Sequence, residues 1–141
     1  MGKVLVSTGA AAFVLVTVLG GCASLKKGPS DQELITQVVK NYQTDLQKGD
    51  VDAVMTQFSS DYSDGEGRDK AGLKDFLNQA KDQGYLDDIE VNIDDMKITI
   101  NDDTATAGPV GLYGNFGGID VTLGLKEESE GNWLITSMDE Y

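Results

Sequence analysis

Ile119-Asp120-Val121-Thr122-Leu123-Gly124-Leu125-Lys126 alternates apolar and polar side chains without a break. A period of two marks a strand with one face on a core and the other toward water. The same period extends to both sides. Glu127 to Asn132 reads as a turn and Trp133 to Tyr141 as a last strand. On the other side, glycine-rich Asn115 to Gly118 turns the chain after a strand over Thr104 to Tyr113. That strand contains Gly108-Pro109, and proline has no N–H for a ladder, so a bulge or an edge is predicted there. Asn101-Asp102-Asp103 is a further turn. Ahead of it, Ile89, Val91 and Ile93 alternate, then Met96, Ile98 and Ile100 alternate one position out of phase. This reads as one strand with a bulge or bend at Asp94-Asp95. The second half of the chain is therefore an antiparallel meander of four strands.

Before Tyr85 the period is helical. Ser30-Asp31-Gln32-Glu33 is a capping box, and Leu34, Ile35, Val38, Val39, Tyr42 and Leu46 follow at helical spacing up to Gly49. Asp50 caps a shorter helix carrying Val51, Val54, Met55 and Phe58. Ser59 to Arg68 is rich in turn residues and reads as an irregular loop. Asp69 then caps a third helix with Leu73, Phe76, Leu77 and Ala80, and Gly84 closes it in left-handed geometry. Helices followed by strands is an α+β order. The predicted architecture is three N-terminal helices packed on a curved four-strand antiparallel sheet, a cone with an open mouth.

The N-terminus has a different character. Lys3 precedes an apolar run from Val4 to Leu19, and Val18-Leu19-Gly20-Gly21-Cys22 closes it with small residues and the only cysteine. That layout is a secretory signal peptide. Leu19-Gly20-Gly21-Cys22 resembles the bacterial lipobox. The resemblance implies diacylation of the Cys22 thiol and cleavage before it, leaving an amino group open to acylation. A membrane-spanning helix and an ordinary buried thiol are the competing readings. The first leaves the glycine pair and the boundary cysteine unexplained, and against the second, Cys22 sits outside any later periodic segment. The predicted organisation is a lipoprotein signal peptide over residues 1–21, a lipidated cysteine with a short tether over 22–29, and one domain over 30–141. Ala23 rather than aspartate follows the cysteine. In a Gram-negative envelope, that implies the periplasmic face of the outer membrane.

Composition narrows the partners. Asp and Glu number 24 against 11 Lys and Arg, and since Lys3 precedes the cleavage point, 10 remain to oppose 24 in the mature chain. Such a surface repels phosphate backbones, which argues against nucleic acid. It also repels anionic lipid heads, so acyl chains on Cys22 rather than a basic patch must hold the membrane.

The helix–strand order resembles the nuclear transport factor 2-like superfamily, which includes ketosteroid isomerase and the SnoaL-like polyketide cyclases. Three stretches carry the resemblance: Lys48-Gly49-Asp50-Val51-Asp52-Ala53 leading to Phe58, Arg68-Asp69-Lys70-Ala71-Gly72-Leu73 before Phe76-Leu77, and Gly131-Asn132-Trp133-Leu134-Ile135-Thr136-Ser137-Met138. It spans roughly Ser30 to Tyr141. It implies a cystatin-like α+β cone, pairing of two copies through their sheets, and, in family enzymes, an acid or base inside the cone.

The chain contains no histidine, so the usual near-neutral proton carrier is missing. Catalysis would need a carboxylate with a raised pKa and a tyrosine donor. Asp61, Asp64, Tyr42, Tyr62, Tyr113 and Asp120 are the candidates, and Tyr42, Asp61, Tyr62 and Tyr113 form the candidate pocket set. Asp61, Asp64, Glu66 and Asp69 do not match the spacing of a calcium loop, and no Cys/His cluster exists for zinc, so neither a metal nor a cofactor is expected. The favoured function is a non-enzymatic module on the membrane, holding a small apolar ligand or an envelope protein. A carboxylate-dependent isomerase or cyclase and a structural envelope dimer are the alternatives.

Overall fold

The computed structural model describes residues 28–141. The predicted signal peptide, Cys22 and most of the tether lie outside the described residues. Three helices come first: α1 (Asp31–Gln47), α2 (Val51–Met55) and α3 (Lys70–Asp82). Each begins where a side chain satisfies the orphan amides of its first turn. Ser30 and Glu33 form the reciprocal capping box on α1. Asp50 accepts from the Ala53 N–H at 3.1 Å on α2, and Asp69 accepts from the Gly72 N–H at 2.8 Å on α3. Gly49 and Gly84 take left-handed φ values of 65° and 78° after α1 and α3.

The strands are β1 (Glu90–Asn92), β2 (Lys97–Asn101), β3 (Thr104–Gly114), β4 (Gly117–Ser129) and β5 (Asn132–Glu140). They form one antiparallel sheet in the order β1-β3-β4-β5, with β2 also paired to β3. The α+β class is as predicted, but the sheet has five strands, not four. The stretch read as one bent strand is two short ones on the same edge of β3. The Asp94 N–H turns back to the Asn92 Oδ1 at 2.8 Å, and the Met96 N–H bonds to the Ile93 carbonyl at 3.2 Å, so ladder pairing stops between them. Opposite this gap β3 carries Pro109, which has no N–H to offer, and the β3–β4 register slips between Ala107 and Val110. That slip is the bulge predicted from the proline. Further slips at Gly124/Leu125 and Glu127/Ser129 bend β4 and β5.

The core lies between the inner face of this bent sheet and the helices. Ile35, Val39, Tyr42 and Leu46 of α1 are buried against Val110, Val121, Leu123 and Leu125 of the sheet, with Trp133 and Ile135 completing the layer. The loop after α2 is not free. The Ile135 N–H donates to the Gln57 carbonyl, and the Ser59 N–H donates to the Ile135 carbonyl, both at 2.8 Å. The Ser63 N–H continues the series to the Thr136 carbonyl at 3.1 Å. The outer edge of β5 is thereby covered, as an exposed sheet edge requires. α3 packs chiefly on α2 and stands off the sheet.

Gly108 lies beside the bulge with no room for a side chain: a Cβ there would sit 3.1 Å from the Thr122 Cα and 3.2 Å from the Val121 carbonyl. These neighbours are sheet backbone and do not yield easily. Gly108→Ala should cost about 1–3 kcal/mol, read as a lower midpoint in urea unfolding followed by Trp133 fluorescence. An unchanged midpoint would show that the bulge has slack.

Candidate functional site

Because α3 stands away from the sheet, a cavity of about 760 Å³ opens between them. Phe76, Leu77 and Ala80 of α3, with Gln83 just after it, form one wall, and Leu112, Ile119, Val121 and Met138 of the sheet form the other. Tyr42 of α1 forms its depth, and Tyr85 and Phe116 stand at its rim. The wall is mainly apolar. Phe76, Tyr85, Phe116 and Ile119 are 47, 43, 42 and 38% exposed. Large apolar side chains left in water and gathered around one concavity are the usual mark of a binding site.

The polar side of the mouth is built on the loop ahead of α3. Asp64 is buried, and its Oδ2 accepts from the Arg68 Nε at 2.8 Å. Its Oδ1 accepts from the amides of Glu66 and Arg68 at 3.0 and 2.9 Å. Burial by itself would push this carboxyl up, but the Arg68 guanidinium and the two amides outweigh it and hold the group below the usual carboxylate range. Arg68 also reaches Glu66 at 3.6 Å and lies over the Phe76 ring, 4.6 Å from its centroid. This cation–π contact helps hold Phe76 at the mouth.

The predicted site residues separate. Tyr42 lines the cavity, with its ring edge-on to Phe58 and its hydroxyl 3.9 Å from the Met138 sulfur. Burial pushes the Tyr42 hydroxyl well above its ordinary pKa. Asp64 reaches the same cavity from the mouth side. Tyr62 lies behind Asp64, packed edge-on to Phe58, and bonds the Asp64 Oδ2 at 3.3 Å. Burial and the neighbouring carboxylate raise its pKa. Asp61 is exposed on the covering loop, its N–H donating to the Ser59 hydroxyl. Tyr113 and Asp120 bond to each other at 3.2 Å, well apart from the cavity. They share the outer face of the sheet, where the Tyr113 ring lies over Gly111 and Gly118. The Asp120 carboxylate raises the Tyr113 pKa.

Sequence reasoning passed over Tyr85, Phe116 and Ile119, and placed Phe76 in the core. A signal was present. Phe116 stands among turn glycines, where an exposed phenylalanine has no structural duty. Among the described residues no group of three or more Cys, Asp or Glu is placed to hold a metal ion.

Neither a protein-family model nor a curated protein matches the chain. Solved structures do. A protein of unknown function with a cystatin-like fold from Nostoc punctiforme superposes with a TM-score of 0.63 at 18% identity, over 77% of this chain and 88% of that one. A nuclear transport factor 2-like protein of unknown function from Shewanella baltica gives 0.61 at 20% identity, over 79% and 92%. A Shewanella frigidimarina protein described as a candidate ketosteroid isomerase gives 0.61 at 23% identity, over 79% and 98%. The fold is the nuclear transport factor 2-like, cystatin-like cone. At these identities the likeness extends to the fold alone, and the fold hosts unrelated functions.

The Asp64 arrangement makes a testable statement about stability. A carboxyl with a lowered folded pKa contributes stability above its unfolded value of about 4, and that contribution is lost as pH falls through the lower folded value. Asp64→Asn should therefore cost about 2 kcal/mol at pH 7. The gap from the natural chain should narrow as pH falls below the unfolded value of about 4. Urea midpoints across that range would check it, and a gap independent of pH would contradict the assignment.

Proposed function

We propose that this chain is a lipid-anchored envelope protein whose cone binds a small apolar ligand without transforming it. The observation that carries the binding part is the open cavity ringed by exposed Phe76, Tyr85, Phe116 and Ile119. Leaving such surface in water costs on the order of 25 cal/mol per Å², and a ligand that covers it recovers that energy. Two groups that the sequence offered as candidates for proton transfer are poorly suited to it. Asp64 is committed to Arg68, and the Tyr42 hydroxyl is held protonated by burial. The enzyme reading needs instead a carboxyl held neutral near pH 7.

The anchoring part rests on Leu19-Gly20-Gly21-Cys22. Among the described residues no helix is long and apolar enough to cross a membrane. In a Gram-negative cell the anchor would lie in the periplasmic face of the outer membrane. The geometry of the domain suits such an anchor. The start of α1 sits at the β4–β5 turn, where the Trp133 Nε1 faces Asp31 at 3.4 Å and Leu34 lies against Gly131. The cavity mouth lies at the other end of β4, by Phe116 and Ile119. The 13 residues of β4 put at most about 40 Å between these ends. A tether over 22–29 reaches at most about 28 Å. This placement supports a reading in which the anchored domain turns its mouth away from the bilayer, toward ligands arriving through water.

Two experiments bear on these parts separately. Intact mass of the membrane-extracted protein should begin at Cys22 and include acyl chains, and Cys22→Ala should lack the acyl mass. A natural chain that keeps residues 1–21 without acylation would refute the anchor. For the cavity, 1-naphthalenemethanol should bind the full chain in neutral detergent, measured by isothermal titration calorimetry. Ala80→Trp or Gln83→Trp, which fill the cavity, should abolish that heat. Equal heats in all three proteins would place the probe elsewhere and refute the ligand-binding reading.

A further inference from the structure

The charges around the cavity say more about what enters it. Asp64, Glu66, Asp139 and Glu140 line the space, and Arg68 is the only basic residue among the lining side chains. Arg68 is already engaged, at 2.8 Å to Asp64 and 3.6 Å to Glu66. Among the described residues that line the cavity, an entering anion would find no free cation and would have to break a bond that holds the mouth together. Glu140 stands opposite Val121, on the inner face of the sheet, and Asp139 comes close to Gly65 of the mouth loop. Neither makes a salt bridge among the described residues. The whole chain adds a formal charge of −13, which draws cations toward any opening.

The apolar wall supplies the other half of the recognition. The rings of Tyr85 and Phe116 are exposed at the rim, and aromatic faces attract cations. The Phe76 ring already shows this contact with Arg68. Deeper in, Tyr42 is 3% exposed, and the Met138 sulfur at 3.9 Å is the only bonded partner of its hydroxyl among the described residues. A thioether is a weak acceptor, so this hydroxyl has hydrogen-bonding capacity left for a ligand in the cavity.

We propose that the cavity is selective for small apolar cations, amines or quaternary ammonium ions on an aromatic or aliphatic body, over anions of the same size. This rests on the ligand-binding reading above and specifies the ligand's charge. The apolar body lies between α3 and the sheet, and the cationic head stays at the rim among Glu66, Asp139, Glu140 and the aromatic rings.

Three probes of matched size test this on the full chain in neutral detergent at low ionic strength: (1-naphthylmethyl)trimethylammonium, 1-naphthalenesulfonate and neutral 1-naphthalenemethanol. The cation should bind about tenfold or more tightly than the sulfonate, with a ratio that shrinks as salt is added. Ala80→Trp and Gln83→Trp leave the net charge unchanged and should abolish binding of the cation, which separates the cavity from non-specific attraction to an acidic surface. Asp139→Asn combined with Glu140→Gln should bring the ratio down to about threefold or less. If the neutral probe binds in the cavity but the sulfonate binds as well as the cation, the charge selectivity is wrong and the ligand-binding reading stands. If none of the three binds in a way that the filled variants abolish, both fail.

Discussion

The backbone of Ile135 joins the two halves of this molecule. Its N–H and carbonyl are bonded to Gln57 and Ser59, on the side of β5 that no further strand covers. The chain leaving α2 is thereby held as a strap along the sheet edge. That strap decides where α3 starts, and the Lys70 Nζ, 2.7 Å from the Phe58 carbonyl, ties the start of the helix to it. α3 then lies on α2 instead of on the sheet. The gap left beneath it is the cavity. Without the strap, the sheet would have an open edge, and α3 would have no reason to stand where it does.

The cone is consequently firm at one end and open at the other. Toward the β4–β5 turn, Trp133, Phe58 and Leu125 are almost fully buried in the core. Toward the β3–β4 turn the apolar side chains face α3 across the cavity without being packed on it. Ile119 continues the buried face of Val121 and Leu123 but faces the gap beneath α3, so it is exposed although it sits in phase. Phe76 is exposed for a related reason: its neighbours Leu73 and Leu77 point into the core, while it faces the gap and is held there by Arg68. The same contacts that stabilise the base therefore leave the mouth unsatisfied.

The outer face of the sheet differs in chemistry. Thr104, Thr106, Gly118, Asp120 and Lys126 are all exposed there, and Tyr113 lies across two glycines that could not accept a side chain beneath its ring. This face needs no cover, whereas the cavity mouth gains by being covered. The difference explains why Tyr113 and Asp120, plausible as a chemical pair from residue type, sit in water away from the concave site.

Local signals determined much of this. Caps at Ser30, Asp50 and Asp69 place the helix starts, because a side chain three residues away satisfies each one. Alternation from Ile119 to Lys126 and from Trp133 onward places two strands, because period two is a local property. Pro109 announced the bulge, because its missing N–H is written in the residue itself. The apolar run from Val4 to Leu19 contrasts with the acidic chain after it in composition alone, since charge and apolar run length are local properties. Other features depended on contacts between distant segments. The split of β1 from β2, the strap on β5 and the gap beneath α3 are long-range pairings that no window of residues contains. The site followed the same division. Tyr42 and Asp64 were legible as polar groups in suspicious places, but their partners, Met138 and Arg68, and the exposure of Phe76, Tyr85, Phe116 and Ile119 were decided only by tertiary structure. Periodicity says which side chains are apolar and in phase, whereas burial depends on whether another element arrives to cover them.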